Sequence, residues 1–306
     1  MRRQFTIFSI VTFALILSAG FLCHSNFLWA LLFFGPLYLV GFYDMCSTHH
    51  SIIANWPIGG RFRYFMEVLR PKIYQYFVES DTDGAPISRI FRNVVYQRAK
   101  KALSSAPFGT QLDVYQVGYE WINHSIFPSS LKAIKPEHLR ITIGGKDCTQ
   151  PYSASIYNIS AMSFGALSKN AVLALSQGAK LGGFSHNTGE GGLSPYHLSG
   201  GGNLVWQIGT GYFGCRDGEG NFCQKNFAER AALPNVKMIE LKLSQGAKPG
   251  HGGILPAGKN TPEIAAIRGV KPWTTVYSPS NHSSFNTPEG LLKFVVQLRT
   301  LSGGKP

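Results

Sequence analysis

The stretch KMIELKL, residues 237–243, is followed by the glycine-rich sequence SQGAKPGHGG, residues 244–253. The first part is apolar enough to form a buried strand, yet it carries Lys242. A lysine in a buried strand costs free energy unless it meets a negative partner. At the carboxyl tip of the strand it would point into a site, and Gln245 and Lys248 follow within one short loop. Two lysines and an amide among glycines favour an anion-binding site over a solvated turn.

Strand-like and helix-like runs alternate around this stretch, from residue 137 onwards. The sequence predicts strands near 155–159 (SIYNI), 182–186 and 237–243. It predicts helices near 168–181, 225–232, 261–268 and 287–301. Strands that alternate with helices are typical of a parallel α/β architecture.

Two further glycine-rich turns are candidates for ligand contact. Residues 161–168 read AMSFGALS, in which a strand runs into small residues and then into a helix. Such a turn brings backbone N–H groups close to a flat or anionic ligand, although an ordinary tight turn has the same composition. Residues 187–192 read NTGEGG and place Glu190 in a backbone of high conformational freedom. This second turn fits a loop folded onto a ligand, and it fits a flexible surface turn equally well.

Composition narrows the class of protein. The chain has 306 residues, 44% of them hydrophobic, and a net charge of +13, which favours anionic partners such as acidic lipid, phosphate or carboxylates. Five scattered cysteines show no metal-type spacing and do not suggest a disulfide framework. In the basic helix predicted over residues 86–103, the charged residues are not interleaved with aromatic ones as nucleic-acid binding would require, so we expect no nucleic-acid partner.

The first 45 residues are predicted to form a transmembrane helical hairpin. Residues 5–22 and 27–43 are both uncharged and each approaches the roughly 20 residues that span a bilayer. A cleaved signal peptide followed by one span is the alternative. Arg2 and Arg3 precede the first segment and a basic stretch follows the second, so the positive-inside rule predicts that both ends and the soluble part lie in the cytoplasm.

A helical connector is expected over residues 46–136, ahead of the α/β part over residues 137–306. Its first pieces are predicted to end at Arg70-Pro71. A basic amphipathic helix follows over 86–103, with Ser88 as N-cap and Pro107 and Gly109 as stop signals.

Five motifs in order carry a resemblance to a known family. They are NISAMSFGALSKNA, HNTGEGGLSPYHL, GGNLVWQIGTGYFGCRDGEGNF, MIELKLSQGAKPGHGGILP and TPEIAAIRGV. Together they resemble the FMN-binding domain of the glutamate synthase family, and especially its short membrane-anchored members, over roughly residues 55–306.

The resemblance implies a (β/α)8 TIM barrel that holds FMN at the carboxyl rim of its strands. It also implies the family's reaction, which is reduction of 2-iminoglutarate, formed from 2-oxoglutarate and ammonia, to L-glutamate. Met162, Ser163, Gln207 and Lys242 match positions that bind the flavin, and a lysine there would stabilise the reduced, anionic ring.

The same resemblance assigns residues to the substrate. Glu190, Gln245, Lys248 and Arg268 match substrate-holding positions, with Glu190 and Lys248 as the catalytic candidates. A dicarboxylate suits two cationic clamps, and an arginine binds a carboxylate through two hydrogen bonds.

The departures from the family pattern are also informative. A complete barrel takes about 250 residues, and only the strands of its first part are recognisable here. We therefore expect an incomplete (β/α)8 barrel without the FMN phosphate loops, inactive alone or completed by a second polypeptide. The residues do not support an iron–sulfur cluster or another metal site, and an electron-donor protein is an expected partner. Two alternatives stay open: a flavoenzyme of the same fold acting on another 2-oxoglutarate-derived imine, and a non-catalytic membrane-anchored binding or assembly module.

Overall fold

The computed structural model describes residues 1–103, 105, 109–130, 132, 135–246, 248 and 250–306. These residues form two compact units, Met1–Asn123 and His124–Pro306. The predicted division at residues 45 and 136 stays a prediction.

The secondary-structure elements described in the first unit are all helical. Its α-helices are α1 (Arg2–Leu22), α2 (Ala30–Met45), α3 (Ser51–Asn55), α4 (Gly59–Ile73) and α5 (Arg89–Ala99), with a 3-10 turn at Ser25–Trp29 and a π-helical turn at Tyr74–Val78.

Helices α1 and α2 pack antiparallel. The ring of Phe5 meets that of Phe42 edge to face, and the hydroxyl groups of Thr12 and Tyr38 lie 2.7 Å apart. Arg2–Leu22 and Ser25–Met45 are both long and apolar enough to cross a membrane.

Two predictions for this unit are wrong. Helix α4 continues through Pro71, because the amide of Tyr74 still reaches the carbonyl groups of Arg70 and Pro71. Helix α5 is shorter than predicted and ends at Ala99, since Lys101 already has a positive φ of 54°.

The predictions for the residues that begin and end α5 have different outcomes. Ser88 does occupy the N-cap position, but its side chain makes no capping hydrogen bond. The predicted stop signal at Pro107 lies outside the described residues.

The second unit is built on a parallel three-stranded sheet. The sheet has the order β3 (Ser185–Asn187), β4 (Asn203–Ile208), β5 (Val236–Leu241). Its helices are α6 (Lys169–Gly182), α7 (Pro195–Ser199), α8 (Gln224–Ala231), α9 (Pro262–Arg268) and α10 (Pro288–Leu301). Two antiparallel pairs lie outside the sheet: β1 (Arg140–Ile143) with β2 (Tyr152–Ser155), and β6 (Ile254–Leu255) with β7 (Val276–Tyr277). The predicted α/β class with a parallel sheet is confirmed.

Chain segments adjoin both edges of the sheet. Ile159 forms a parallel bridge with His186 of β3. At the other edge, the amide of Ile239 in β5 donates to the carbonyl of Pro306 at 2.8 Å. Four parallel positions therefore follow one another in chain order, from Ile159 to β5, and Pro306 is joined to β5 by a hydrogen bond.

Side-chain alternation along β4 separates the two faces of the sheet. Leu204, Trp206 and Ile208 are buried in a core with α8 and α10, and the indole of Trp206 stacks on Phe227 at 5.2 Å. Because successive strand residues point to opposite faces, Gln207 belongs to the other face. The helices cover the apolar face and leave polar groups on the opposite one.

The predicted helices of this unit are confirmed to within one residue at each boundary. Serine or threonine caps begin three of them, since Ser168, Thr261 and Thr287 accept hydrogen bonds from the first turns of α6, α9 and α10.

Among the predicted strands, 237–243 is confirmed as β5 and 182–186 lies at β3. The predicted strand at 155–159 is wrong, because Asn158 turns the chain: its Nδ2 donates to the carbonyl of Ser155 at 2.7 Å, and its Oδ1 accepts from Ser185. The run is therefore divided between β2 and the bridge at Ile159.

Candidate anion-binding cleft

A cleft of about 260 Å³ opens where the turns after the parallel strands meet. The turn at 161–168, the loop at 187–192, the loop after β5 and helix α9 each contribute to its wall. The predicted site residues among those lining it are Ser163, Glu190, Gln245, Lys248 and Arg268. Five candidates that are distant in the sequence therefore share one cleft.

Glu190 lies at the centre of a polar cluster in this cleft. The Nε2 of Gln245 donates to both of its carboxylate oxygens at 2.6 Å, and the ammonium of Lys242 lies 3.6 Å from Oε2. The negative partner that a strand lysine requires is therefore Glu190. Among the described residues that line the cleft, Glu190 is the only carboxylate, so its cations outnumber its anions.

The loop carrying Glu190 is folded tightly onto the turn at 161–168. Gly189 has a φ of 65°, and a Cβ added there would lie 2.9 Å from the backbone nitrogen of Ser163. Asn187 and Thr188 are buried as well. The alternative of a flexible surface turn at 187–192 is therefore wrong.

Arg268 is the most buried cation of the cleft. It ends helix α9, is only 8% exposed, and its guanidinium lies 5.1 Å from the centroid of the Phe213 ring. Nη2 donates to the carbonyl of Phe164 at 3.4 Å, while the buried Nε has no partner. Burial lowers the pKa of Arg268 and the nearby Glu190 carboxylate raises it. The group stays charged, because the ordinary pKa of arginine is so high.

Two lysines complete the basic character of the cleft. Lys248 is exposed and lines it beside Gln245, and Lys259 lines it from the segment before α9. Together with Arg268 they make three cations that line the cleft, whereas the Glu190 carboxylate is bound by Gln245 and Lys242. The arrangement is suited to an anion with more than one carboxylate, because separate cations can bind separate groups.

Three of the four predicted flavin-binding residues, Met162, Gln207 and Lys242, are not among the residues that line this cleft. Gln207 is buried on the polar face of β4, where its Nε2 donates to Glu240 of β5 and its Oε1 has no partner. Met162 contributes its backbone, which bonds through N–H to Asn187 and through the carbonyl to Nε2 of His197 at 3.0 Å.

A buried histidine supports the backbone of Lys242. Nε2 of His282 lies 2.8 Å from the carbonyl oxygen of Lys242, and Nδ1 lies 3.0 Å from the hydroxyl of Tyr212. A carbonyl can only accept, so Nε2 carries the proton, while the hydroxyl of Tyr212 donates to Oγ of Ser284 at 3.0 Å. Burial lowers the pKa of His282, consistent with the neutral form.

Sequence reasoning missed several residues of this site. Phe213 and Lys259 carried no local signal, and Phe213 lies inside a GxGxxG match that forms a turn rather than a nucleotide loop. His282 gave only a weak signal, as one of nine scattered histidines. Its role depends on a contact across 40 residues of sequence. Across the part of the chain that the structure describes, no group of three or more His, Cys, Asp or Glu side chains could hold a metal ion.

Comparison with known families agrees with this geometry. The sequence model described as "Conserved region in glutamate synthase" matches residues 128–306, which include every residue of the cleft. The chain belongs to the glutamate synthase family.

Three relatives illustrate how the family shares this sequence. The "Glutamate synthase large subunit-like protein YerD" of Bacillus subtilis is 34% identical over 301 residues, covering 86% of this chain and 57% of its own. The "Archaeal-type glutamate synthase [NADPH]" of Thermotoga maritima is 33% identical over 139 residues, covering 45% of this chain and 25% of its own. The "Ferredoxin-dependent glutamate synthase" of Cyanidium caldarium is 34% identical over 165 residues, covering 46% and 10%. The chain thus spans little more than half the length of YerD, and by family it is related to oxidoreductases.

Proposed function

We propose that this glutamate synthase family member takes part in FMN-dependent reduction of 2-iminoglutarate to L-glutamate. The observation that carries the proposal is the convergence of Arg268 and Lys248 on the cleft that holds Glu190 and Ser163. A diacid imine presents two carboxylates and one nitrogen. The carboxylates match Arg268 and Lys248, and the nitrogen matches Glu190.

The substrate residues have separable roles in this proposal. Arg268 binds one carboxylate from a partly dry position, and Lys248 binds the other from the rim. Glu190, held by Gln245 and Lys242, orients the imine nitrogen and keeps a proton near it. Such positioning lowers the barrier because the entropy of orientation is lost on binding rather than in the reaction.

Residues of the polar sheet face fit the ring of FMN. The unpartnered Oε1 of Gln207 is a buried acceptor that suits a ring N–H, and the ammonium of Lys242 suits the electron-rich edge of the reduced ring. The turn at Met162 and Ser163 would lie along the ring. When bound, FMN supplies the hydride.

We further propose that the parallel segments are the first part of a (β/α)8 barrel. Support comes from the consecutive parallel order Ile159, β3, β4, β5, with Pro306 bonded to the far edge of β5 and with α8 and α10 packed on the apolar face of the sheet. The remaining strands would come from further sequence of a longer protein or from a second polypeptide, and FMN binding would require them.

The proposal places the soluble part in the cytoplasm, anchored by α1 and α2 as membrane spans. Relatives are named for NADPH or for ferredoxin. For this chain we propose a reduced electron-donor protein as the source of electrons.

Flavin loading and reoxidation test the proposal. The full chain is co-produced with a polypeptide that supplies the remaining strands, and the complex is reduced anaerobically. We expect 2-oxoglutarate plus ammonium to restore the oxidised flavin spectrum, and Lys242→Met to slow that step in complexes that still contain flavin. A flavin-loaded complex whose reoxidation is no faster with both compounds than with neither would overturn the proposed reaction. Stoichiometric flavin in the chain purified alone would overturn the proposed need for further strands.

Ammonium and methylammonium should also be compared at equal concentration. A strong preference for methylammonium would transfer the assignment to a different 2-oxoglutarate-derived imine.

A further inference from the structure

Helix α4 carries an apolar stripe that is open to its surroundings. At 3.6 residues per turn, residues 62, 65, 66, 69 and 73 fall on one side of the helix. Phe62 is 63% exposed and Phe65 is 56% exposed. Side chains of this size left uncovered along one face are typical of a surface that another phase or molecule covers.

Basic side chains border the stripe on both sides. Helical spacing places Arg61 and Lys72 along one border and Arg63 and Arg70 along the other. The single carboxylate of the helix, Glu67, lies away from the stripe and pairs with Nε of Arg63 at 3.1 Å. The stripe is therefore apolar in the middle and cationic along both edges.

The first turn of α4 is held at the end of α2. Asp44, in the last turn of α2, accepts from Nη2 of Arg61 at 2.6 Å and from the amide of Ile58 at 2.9 Å. Gly60 packs against α3 so closely that a Cβ would lie 2.8 Å from Cα of Ile53. An apolar helix of spanning length thus ends where the amphipathic helix begins.

An open groove extends the stripe toward the π-helical turn. It has a volume of about 470 Å³, with Met66, Ile73 and Val78 in its wall, and with Arg63, its partner Glu67 and Arg70 also lining it. An apolar groove beneath two guanidinium groups has the chemistry of an acyl chain bound below a phosphate.

We propose that α4 lies in the head-group plane of an anionic bilayer, with the stripe toward the acyl chains and the four cations on lipid phosphates. Amphipathic helices with basic borders bind membranes in this orientation. A second copy of the chain is a poorer occupant, because pairing two such stripes would bring eight cations together. The proposal concerns the first unit only and does not depend on the flavin chemistry.

Site-specific photocrosslinking tests it. Benzoylphenylalanine replaces Phe65 on the stripe or, as the matched control, Tyr64 on the opposite side of the same helix, which does not line the groove. The full chain is placed in nanodiscs of phosphatidylcholine with or without phosphatidylglycerol, irradiated, and analysed by mass spectrometry. We expect lipid adducts from position 65, several-fold more in the anionic discs, and few from position 64.

A charge variant separates the two parts of the surface. Arg63→Gln/Arg70→Gln/Lys72→Gln keeps the stripe and the Arg61–Asp44 pair, and it should remove the preference for anionic discs. Equal adduct yields from positions 65 and 64, adducts from position 65 to protein rather than lipid, or equal yields in neutral and anionic discs would each overturn the proposal. Turnover and flavin content play no part in this readout.

Discussion

Arg268 couples the packing of α9 to the chemistry of the cleft. Its guanidinium is held by the ring of Phe213 and the carbonyl of Phe164, and donor capacity remains for a ligand. Replacing it with Gln should weaken 2-oxoglutarate binding about 10- to 100-fold, since a hydrogen bond to a charged group contributes roughly 1.5–3 kcal/mol. Calorimetric titration of the full chain in detergent measures this. Lys271→Gln, which removes one exposed positive charge just beyond α9, is the control, and an equal loss in both variants would reduce the effect to net charge.

His282 should act as a positioning residue for Lys242. His282→Ala removes the side-chain donor of the Lys242 carbonyl, and we expect a loss of about 1–3 kcal/mol in the free energy of unfolding. His282→Gln restores a donor and should recover part of it. Urea unfolding of both variants measures whether the glutamine variant is more stable than the alanine variant. A glutamine variant no more stable than the alanine variant would show that the ring fills space rather than holding the backbone.

His186 should make the second unit sensitive to mild acid. It is fully buried with both ring nitrogens unpartnered, and burial, with a smaller effect of His197, lowers its pKa to about 4. Between about pH 6.5 and pH 4 the side chain of His186 binds a proton in the unfolded chain but stays neutral in the folded chain. Stability is therefore complete above about pH 6.5 and falls by about 3 kcal/mol as the pH drops toward 4.

Urea unfolding between pH 7 and pH 4.5 measures this fall in the free energy of unfolding. His186→Leu removes the titrating group without breaking a hydrogen bond, so it should flatten the pH dependence. An unchanged slope in that variant would assign the acid sensitivity to other groups.

At this scale, sequence reasoning found the residues that stand in recognisable motifs. Glu190, Gln245, Lys248 and Arg268 were named in advance and do share one cleft. Phe213, Glu240 and His282 were not, because an aromatic under a guanidinium, a carboxylate beside Gln207 and a histidine under a carbonyl depend on contacts between distant segments. The roles of all these residues stay predictions.

Among the elements, the loop at 187–192 depends on close contact with the turn at 161–168. Gly189→Ala would require a positive φ of an alanine and would push its Cβ onto Ser163. We expect a loss of roughly 1–3 kcal/mol in stability and weaker 2-oxoglutarate binding. Gly218→Ala is the control, since a Cβ there meets nothing within 4 Å. Thermal unfolding and calorimetry measure both effects, and equal behaviour of the two variants would show that the loop tolerates displacement.

Element prediction succeeded where local signals and packing agree. The helices α6, α9 and α10 were located to within a residue because serine or threonine caps coincide with apolar periodicity, and α8 was located equally well although it has no side-chain cap. The central strand β4 was not predicted as a strand, because its run NLVWQI lies between glycine-rich segments and shows no helical or alternating pattern of its own. Its place is fixed by pairing with strands on both sides.

For the whole molecule, the boundary between the two units should be the first site of proteolysis. Near Asn123 and His124 the chain exposes large side chains, with Tyr115 93% and Phe127 89% accessible. Brief chymotrypsin treatment of the detergent-solubilised chain should cut there before it cuts β4 or α10, as mass spectrometry of the fragments would show. Early cuts within the parallel sheet would mean that the second unit does not hold together independently.

The family and the α/β class followed from the sequence, whereas the barrel, the flavin and the membrane anchor stay proposals. Motif order alone indicated the family. How the chain closes a barrel is a property of strands that pair beyond β5, and local sequence carries little information on such long-range pairing.

The hydrogen bond between Ile239 and Pro306 affects the register of any further strand that would pair at this edge of β5. Lys305 is buried, and its ammonium donates to the carbonyl groups of Ala231 and Leu233, so the chain there cannot slide. Since a slip of one residue exchanges the two faces of a strand, this anchored lysine fixes the register. The register determines which side chains of a neighbouring strand would face the cleft and which would face the helices.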